Sequence, residues 1–141
     1  MAIRNVFEHV KTLTAEIESV DVDGLKAELA QNDEVLLIDL REIQELIDSG
    51  GIPGAIHVPR GMLEFWADPN SPYGRDYLGE HKRTIVFCAS AGRSVYAVKA
   101  LEDMGFSNVA QLAGGFSSWK QAGEQIEDVG ATSRWMRREK E

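Results

Sequence analysis

Four apolar residues in succession, Val35-Leu36-Leu37-Ile38, run directly into Asp39-Leu40-Arg41. The run shows no alternation of polar and apolar positions, so it suits a central strand buried on both faces, as in a parallel sheet covered by helices. A second run, Thr84-Ile85-Val86-Phe87, ends at Cys88, and a third spans Val109 to Leu112. A turn at Ile52-Pro53-Gly54-Ala55 leads into a short strand near Ile56-His57-Val58. Helical spacing fills the gaps. Asp21 is a good N-cap for a helix carrying Leu25 and Leu29. Ile43, Leu46 and Ile47 form a short helix closed by Ser49-Gly50-Gly51, and Val95, Val98, Leu101 and Met104 mark another that stops at Gly105. Gly114-Gly115 opens a helix with Phe116 and Trp119, ending at Gly123. Strands alternating with helices predict an α/β fold with a parallel sheet and helices on both faces.

The ends of the chain read differently. Ile3, Val6, Phe7, Val10, Leu13 and Ile17 predict an amphipathic helix over residues 2–18, packed on the domain or on a partner. Arg134, Arg137, Arg138 and Lys140 mark an exposed basic tail or loose helix. The stretch 60–83 is irregular, with turn chemistry at Asp68-Pro69-Asn70-Ser71-Pro72 flanked by Phe65, Trp66 and Tyr73. These aromatics read as anchors to the core, with a lid over a site as the other reading.

At 141 residues the chain suits one compact domain. Its net charge of −8 argues against nucleic-acid and anionic-membrane partners. One cysteine can form no internal disulfide and no cysteine-rich zinc site, and a free thiol fits a reducing compartment. The N-terminus lacks a continuous apolar core, so neither a signal peptide nor a membrane span is expected, and the cytoplasm is the expected location.

The chemistry gathers at strand ends, where parallel sheets bind ligands. Cys88 closes a strand, a small loop (Ala89-Ser90-Ala91-Gly92) follows, and Arg93 opens a helix. Backbone N–H groups and the helix dipole converge there on anions and favour an ionised thiol. The bland alternative is a buried, inert cysteine. Arg93 opposes the helix dipole and so reads as an anion-binding group, against a plain surface arginine. Asp39 and Arg41 read first as an ion pair fixing the crevice wall, with Arg41 also a candidate to bind the donor, and Arg60 is a weaker candidate of that kind. Ser90 reads as structural, and His57 as a packed or edge histidine.

Together these segments resemble the rhodanese domain. Cys-Ala-Ser-Ala-Gly-Arg-Ser at 88–94 is similar to that family's active-site loop. Asp39-Leu40-Arg41-Glu42, Ile52-Pro53-Gly54-Ala55-Ile56, and Gly114-Gly115-Phe116 with Trp119 are similar to three further signatures of it, in the same order. The resemblance covers about residues 20–128. It leaves residues 1–19 as a helical extension and 129–141 as a basic tail. It implies a sheet of about five parallel strands, no cofactor and no metal. It implies transfer of a sulfane sulfur from a donor such as thiosulfate, through a persulfide on Cys88, to cyanide or a thiol. The amides of Ala89, Ser90, Ala91, Gly92 and Arg93 would cradle the transferred sulfur. A sulfur-acceptor protein is a further possible partner, and oligomeric state stays open. Two departures from the family pattern are Ala91 and Gly51, where many members have Gly and His. Ala91 matters if the loop needs a positive φ there.

Two rival functions stand beside this one. Phosphatases and arsenate reductases also use a loop cysteine and a helix-start arginine, but with five residues between them, whereas four separate Cys88 from Arg93. A non-catalytic docking module is the other, and the presence of both Cys88 and Arg93 argues against it.

Overall fold

The computed structural model describes residues 2–132. Five strands form one sheet: β1 (Glu18–Val20), β2 (Leu36–Asp39), β3 (Ile56–His57), β4 (Thr84–Phe87) and β5 (Val109–Leu112). Their order is β1-β5-β4-β2-β3, and every pairing is parallel. The helices are α1 (Val6–Thr14), α2 (Val22–Gln31), α3 (Ile43–Ser49), α4 (Leu63–Ala67), α5 (Arg93–Met104), α6 (Gly115–Gln121) and α7 (Val129–Thr132). A 3-10 turn at Arg60–Met62 leads into α4.

The uniformly apolar runs form the buried strands because each face meets a different core. Leu36, Ile38, Val86 and Val109 pack with Val98 and Leu101 of α5 and Leu63 of α4. Leu37, Ile85, Phe87, Ala110 and Leu112 pack on the other face with Leu25 of α2 and Phe116 and Trp119 of α6. Side chains alternate between faces, so a strand covered on both sides is apolar at most positions, and its buried polar residues, Asp39, Thr84 and Gln111, each find hydrogen-bond partners. Helix ends follow local chemistry. The Asp21 carboxylate accepts from Gly24 N–H at 2.7 Å, and α5 stops where Gly105 turns left-handed at φ 108°.

The N-terminal segment departs from the expected single helix. α1 ends at Thr14, and residues 18–20 join the sheet beside β5, with Ser19 opposite Gln111. Ile17, spaced as if it continued the helix, instead packs on the core. Three residues are too few to display alternation, so pairing with β5 decides their structure. β1 thus crosses the boundary between residues 19 and 20, where the family resemblance begins. At the other end, residue 127 pairs with Gly51 through two backbone hydrogen bonds, and α7 packs on α3. The arginines expected in a tail, Arg134, Arg137 and Arg138, lie outside the described residues. Trp66 packs against the core and lies under the Arg75 guanidinium, 4.4 Å from ring to charge, which anchors the 60–83 stretch. Phe65 stays exposed.

Because all strands are parallel, their C-terminal ends share one edge. There Asp39 of β2 takes hydrogen bonds from Arg41 N–H (3.0 Å), Nε (3.0 Å) and a terminal guanidinium nitrogen (2.7 Å). That nitrogen also donates to the Gly50 carbonyl at 2.8 Å, and the guanidinium stacks 4.1 Å from the Phe116 ring. Both partners are 2% exposed. Removing one member of such a pair strands a charge in a dry site. Arg41→Met is expected to lower unfolding free energy by about 3–5 kcal/mol in urea titration. Arg60→Ala, which breaks a half-exposed pair with Glu64, is expected to cost less than about 1 kcal/mol. Equal losses would show that burial does not set the difference.

Candidate active site

Cys88 follows β4 directly, and the loop 89–92 carries the chain into α5. What orients this loop is α6. The N–H of Phe116 donates to the Cys88 carbonyl, and that of Ser117 to the Ala89 carbonyl, each at 2.9 Å. In a trans peptide the carbonyl and the next N–H point in opposite directions. The N–H groups of Ala89 and Ser90 therefore point away from α6. Among the described residues, none accepts a hydrogen bond from the N–H of Ala89, Ser90, Ala91 or Gly92. These donors, beside the start of a 12-residue helix, give the loop a positive local potential.

Gly115 makes that docking possible. It sits at φ 59°, and a Cβ there would collide with the Cys88 carbonyl oxygen and come within 2.8 Å of the Ser90 carbonyl oxygen. The paired glycines 114 and 115 let α6 start directly under the loop. Ala91 needs no such freedom, since no described non-glycine residue has a positive φ. The departure at Ala91 therefore imposes no backbone strain.

Cys88 is 1% exposed. Burial alone would fit an inert cysteine, but its surroundings are polar. Sγ donates to Ser94 Oγ at 3.5 Å. Arg93 lies close enough for the Cys88 thiolate to help hold its guanidinium charged, behind the larger contribution of Glu45. Glu45, on α3, accepts both guanidinium arms of Arg93 at 2.7 and 3.0 Å. Those bonds hold the Glu45 carboxyl at about 2, well below its ordinary 4.5, against the opposing effect of burial.

The other expected site residues divide. Arg41 does not face a ligand. It is buried and its guanidinium is spent on Asp39, Gly50 and Phe116, so the structure corrects the reading of Arg41 as a donor-binding group and makes it the crevice wall. Asp39 accepts from Arg41 through both carboxylate oxygens. Arg60 stands on the 3-10 turn before α4 and is held by Glu64 at 2.7 and 3.3 Å. His57 Nε2 donates to the Arg41 carbonyl at 2.6 Å, which commits it to the wall and not to Cys88.

Three contributors were not singled out from sequence. Ser94 touches the thiol and donates to Gln111 Oε1 at 2.6 Å. Glu45 positions Arg93. Gln111 had a signal: it is the one polar residue in Val109-Ala110-Gln111-Leu112, and the strand period puts it on the α5 face. Glu45 had none, because its partner lies 48 residues away.

Residues 21–122 match the rhodanese-like domain family, and the chain belongs to that family. A sulfurtransferase from Allochromatium vinosum is 28% identical over 110 residues, which are 78% of this chain and 94% of that protein. A protein of unknown function from Rhodopseudomonas palustris CGA009, described as a possible tyrosine phosphatase, superposes with a TM-score of 0.83. The two are 35% identical, over 90% of this chain and 97% of that one. The polysulfide-sulfur transferase homodimer from Wolinella succinogenes superposes with a TM-score of 0.68 at 28% identity, over 84% of each chain. This kinship supports rhodanese-type sulfurtransferase activity in general. No helix among the described residues is long and apolar enough to cross a membrane.

Two outcomes follow from this geometry. Gly115→Ala is expected to lower both stability and Cys88 reactivity, read by thermal melting and by the rate of iodoacetamide labelling. Unchanged labelling would mean that α6 does not set the loop. The depressed Glu45 carboxyl favours the folded state above its unfolded value of 4.5, and that contribution fades as pH falls toward about 2. Both partners are about a third exposed, so the pair is worth at most about 1 kcal/mol. Urea midpoints of wild type and Glu45→Gln should therefore differ near neutral pH and converge on acidification.

Proposed function

We propose that this protein moves a sulfane sulfur from an anionic donor such as thiosulfate to a thiophilic acceptor through a persulfide on Cys88. The observation that carries this reading is the loop itself: four N–H groups with no acceptor among the described residues, beside a thiol and a helix-start arginine. The Cys88 thiolate attacks the outer sulfur of thiosulfate. A bond forms between Sγ and that sulfur, the donor's S–S bond breaks, and sulfite leaves with the electron pair. The loop amides and Arg93 balance the negative charge that passes through the site. The acceptor then attacks the outer sulfur of the persulfide. With cyanide the product is thiocyanate, and Cys88 returns as a thiolate. Two easier displacements replace one transfer.

Arg93 attracts the donor's sulfonate oxygens, and Glu45 holds its guanidinium with two hydrogen bonds. No base is assigned to the thiol, because His57 is committed to the wall. A phosphatase reading, prompted by the Rhodopseudomonas relative, asks the same loop to ring a tetrahedral phosphate. The four residues between Cys88 and Arg93 make a ring one residue smaller than the phosphatase pattern.

Protein treated with thiosulfate should gain the mass of one sulfur atom on the Cys88 peptide. Cyanide should discharge it as thiocyanate, and Cys88→Ser should do neither. Arg93→Ala should raise KM for thiosulfate by about tenfold or more, the effect of losing a charge-assisted hydrogen bond. Cys88-dependent hydrolysis of p-nitrophenyl phosphate without any sulfur loading would overturn the proposal.

A further inference from the structure

The sulfur-transfer steps above give no part to the polar groups that link Cys88 to the sheet edge. Cys88 Sγ donates to Ser94 Oγ (3.5 Å), Ser94 Oγ donates to Gln111 Oε1 (2.6 Å), and Gln111 Nε2 donates to Ser19 Oγ (3.0 Å). The line runs from the end of β4 through the first turn of α5 and across β5 to the edge strand β1. Ser94 and Gln111 are buried, and Ser19 is exposed. A carboxamide amid apolar strand residues is costly unless its bonds are made, and here both of its ends are used.

In this arrangement the hydrogen of Ser94 is committed to Gln111. Ser94 can then only accept from Cys88, which suits a thiol and offers nothing to a thiolate. Every group in the line is nevertheless reversible. A hydroxyl both donates and accepts, and a half-turn of the Gln111 amide exchanges its acceptor and donor ends. We propose that Gln111 is a positioning residue whose amide turns over, reversing the line from Ser19 to Ser94, so that Ser94 accepts from the Cys88 thiol and donates to its thiolate. In the reversed state Ser19 donates to Oε1, Nε2 donates to Ser94 Oγ, and the Ser94 hydroxyl donates to Sγ. Each link stays paired in both states, and exposed Ser19 exchanges its spare bond with water. No proton travels along the line. The proton lost by Sγ goes to solvent, and each O–H and N–H keeps its own hydrogen.

The charged groups nearby are distinct from this line. Arg93 and its partner Glu45 lie on α5 and α3, and the Asp39–Arg41 pair closes the end of β2. His57 of β3 is bonded to the Arg41 carbonyl. From β5 and α6 the site receives Gln111, Gly115 and Phe116, none of which ionises.

The inference rests on Cys88 being the reactive thiol of the proposed function, but its test reads the thiol and not sulfur transfer. In wild-type protein, the Gln111 side-chain amide resonances should move with pH at the same midpoint as iodoacetamide alkylation of Cys88. That response should vanish in Cys88→Ser. In the variants, the alkylation midpoint should separate by sign. Gln111→Met leaves the Ser94 hydroxyl without a partner only in the thiol state, so the midpoint should fall by about half to one pH unit, three- to tenfold in ionised fraction below it. Gln111→Glu offers acceptors alone and keeps the Ser94 hydrogen engaged, so the midpoint should rise by a similar amount or more. The proposal is wrong if both variants shift it in the same direction, or if the wild-type amide resonances ignore the titration. Failure of thiosulfate loading with these responses intact would instead count against the proposed donor chemistry.

Discussion

Arg41 brings a full positive charge to a position that water does not reach, and three elements converge to answer it. Asp39 at the end of β2 supplies both carboxylate oxygens, the end of α3 supplies the Gly50 carbonyl, and α6 supplies the face of Phe116. A charge so placed tolerates few geometries, because each lost bond exposes the full desolvation cost. The pair therefore fixes where α3 and α6 stand against the sheet. The active-site elements inherit that placement: α3 carries Glu45, which orients Arg93, and α6 begins under Cys88.

Much of this was legible from the chain. The mostly apolar runs at 35–38, 84–87 and 109–112 fall in strands because burial on both faces leaves few polar positions, and the lack of alternation reveals that. The positions of Gly105, Gly114 and Gly123 marked helix ends because each adopts a left-handed conformation. Asp39 and Arg41 were readable as a pair, being two residues apart. What escaped was long-range. Strand β1 exists through its partner β5, with no pattern of its own. Arg41 looked available to a ligand because sequence shows the charge and not the carbonyl and ring that consume it. Glu45 was invisible because only the fold brings it to Arg93.

The loop after Cys88 is polarised by its neighbours more than by its own composition. Its residues are small and mostly uncharged. The Cys88 and Ala89 carbonyls are drawn to one side by N–H groups of α6, and this leaves the N–H groups of Ala89 and Ser90 on the other. A neutral loop thereby acquires a cationic face, with the Arg93–Glu45 pair beside it. Cys88 is buried, yet its sulfur has a hydrogen-bond partner in Ser94.

The Gly115 contact also divides the loop into a part that can be re-engineered and a part that cannot. Its inner carbonyls rest on a helix start that admits no side chain, so the depth of the floor is fixed by the backbone. Ser90 is exposed and Ala91 half-buried, both at ordinary backbone angles. Any attempt to widen or narrow the range of sulfur compounds accepted has its freedom at these two rim positions. Altered selectivity here is a matter of redecorating an entrance while leaving the foundation untouched.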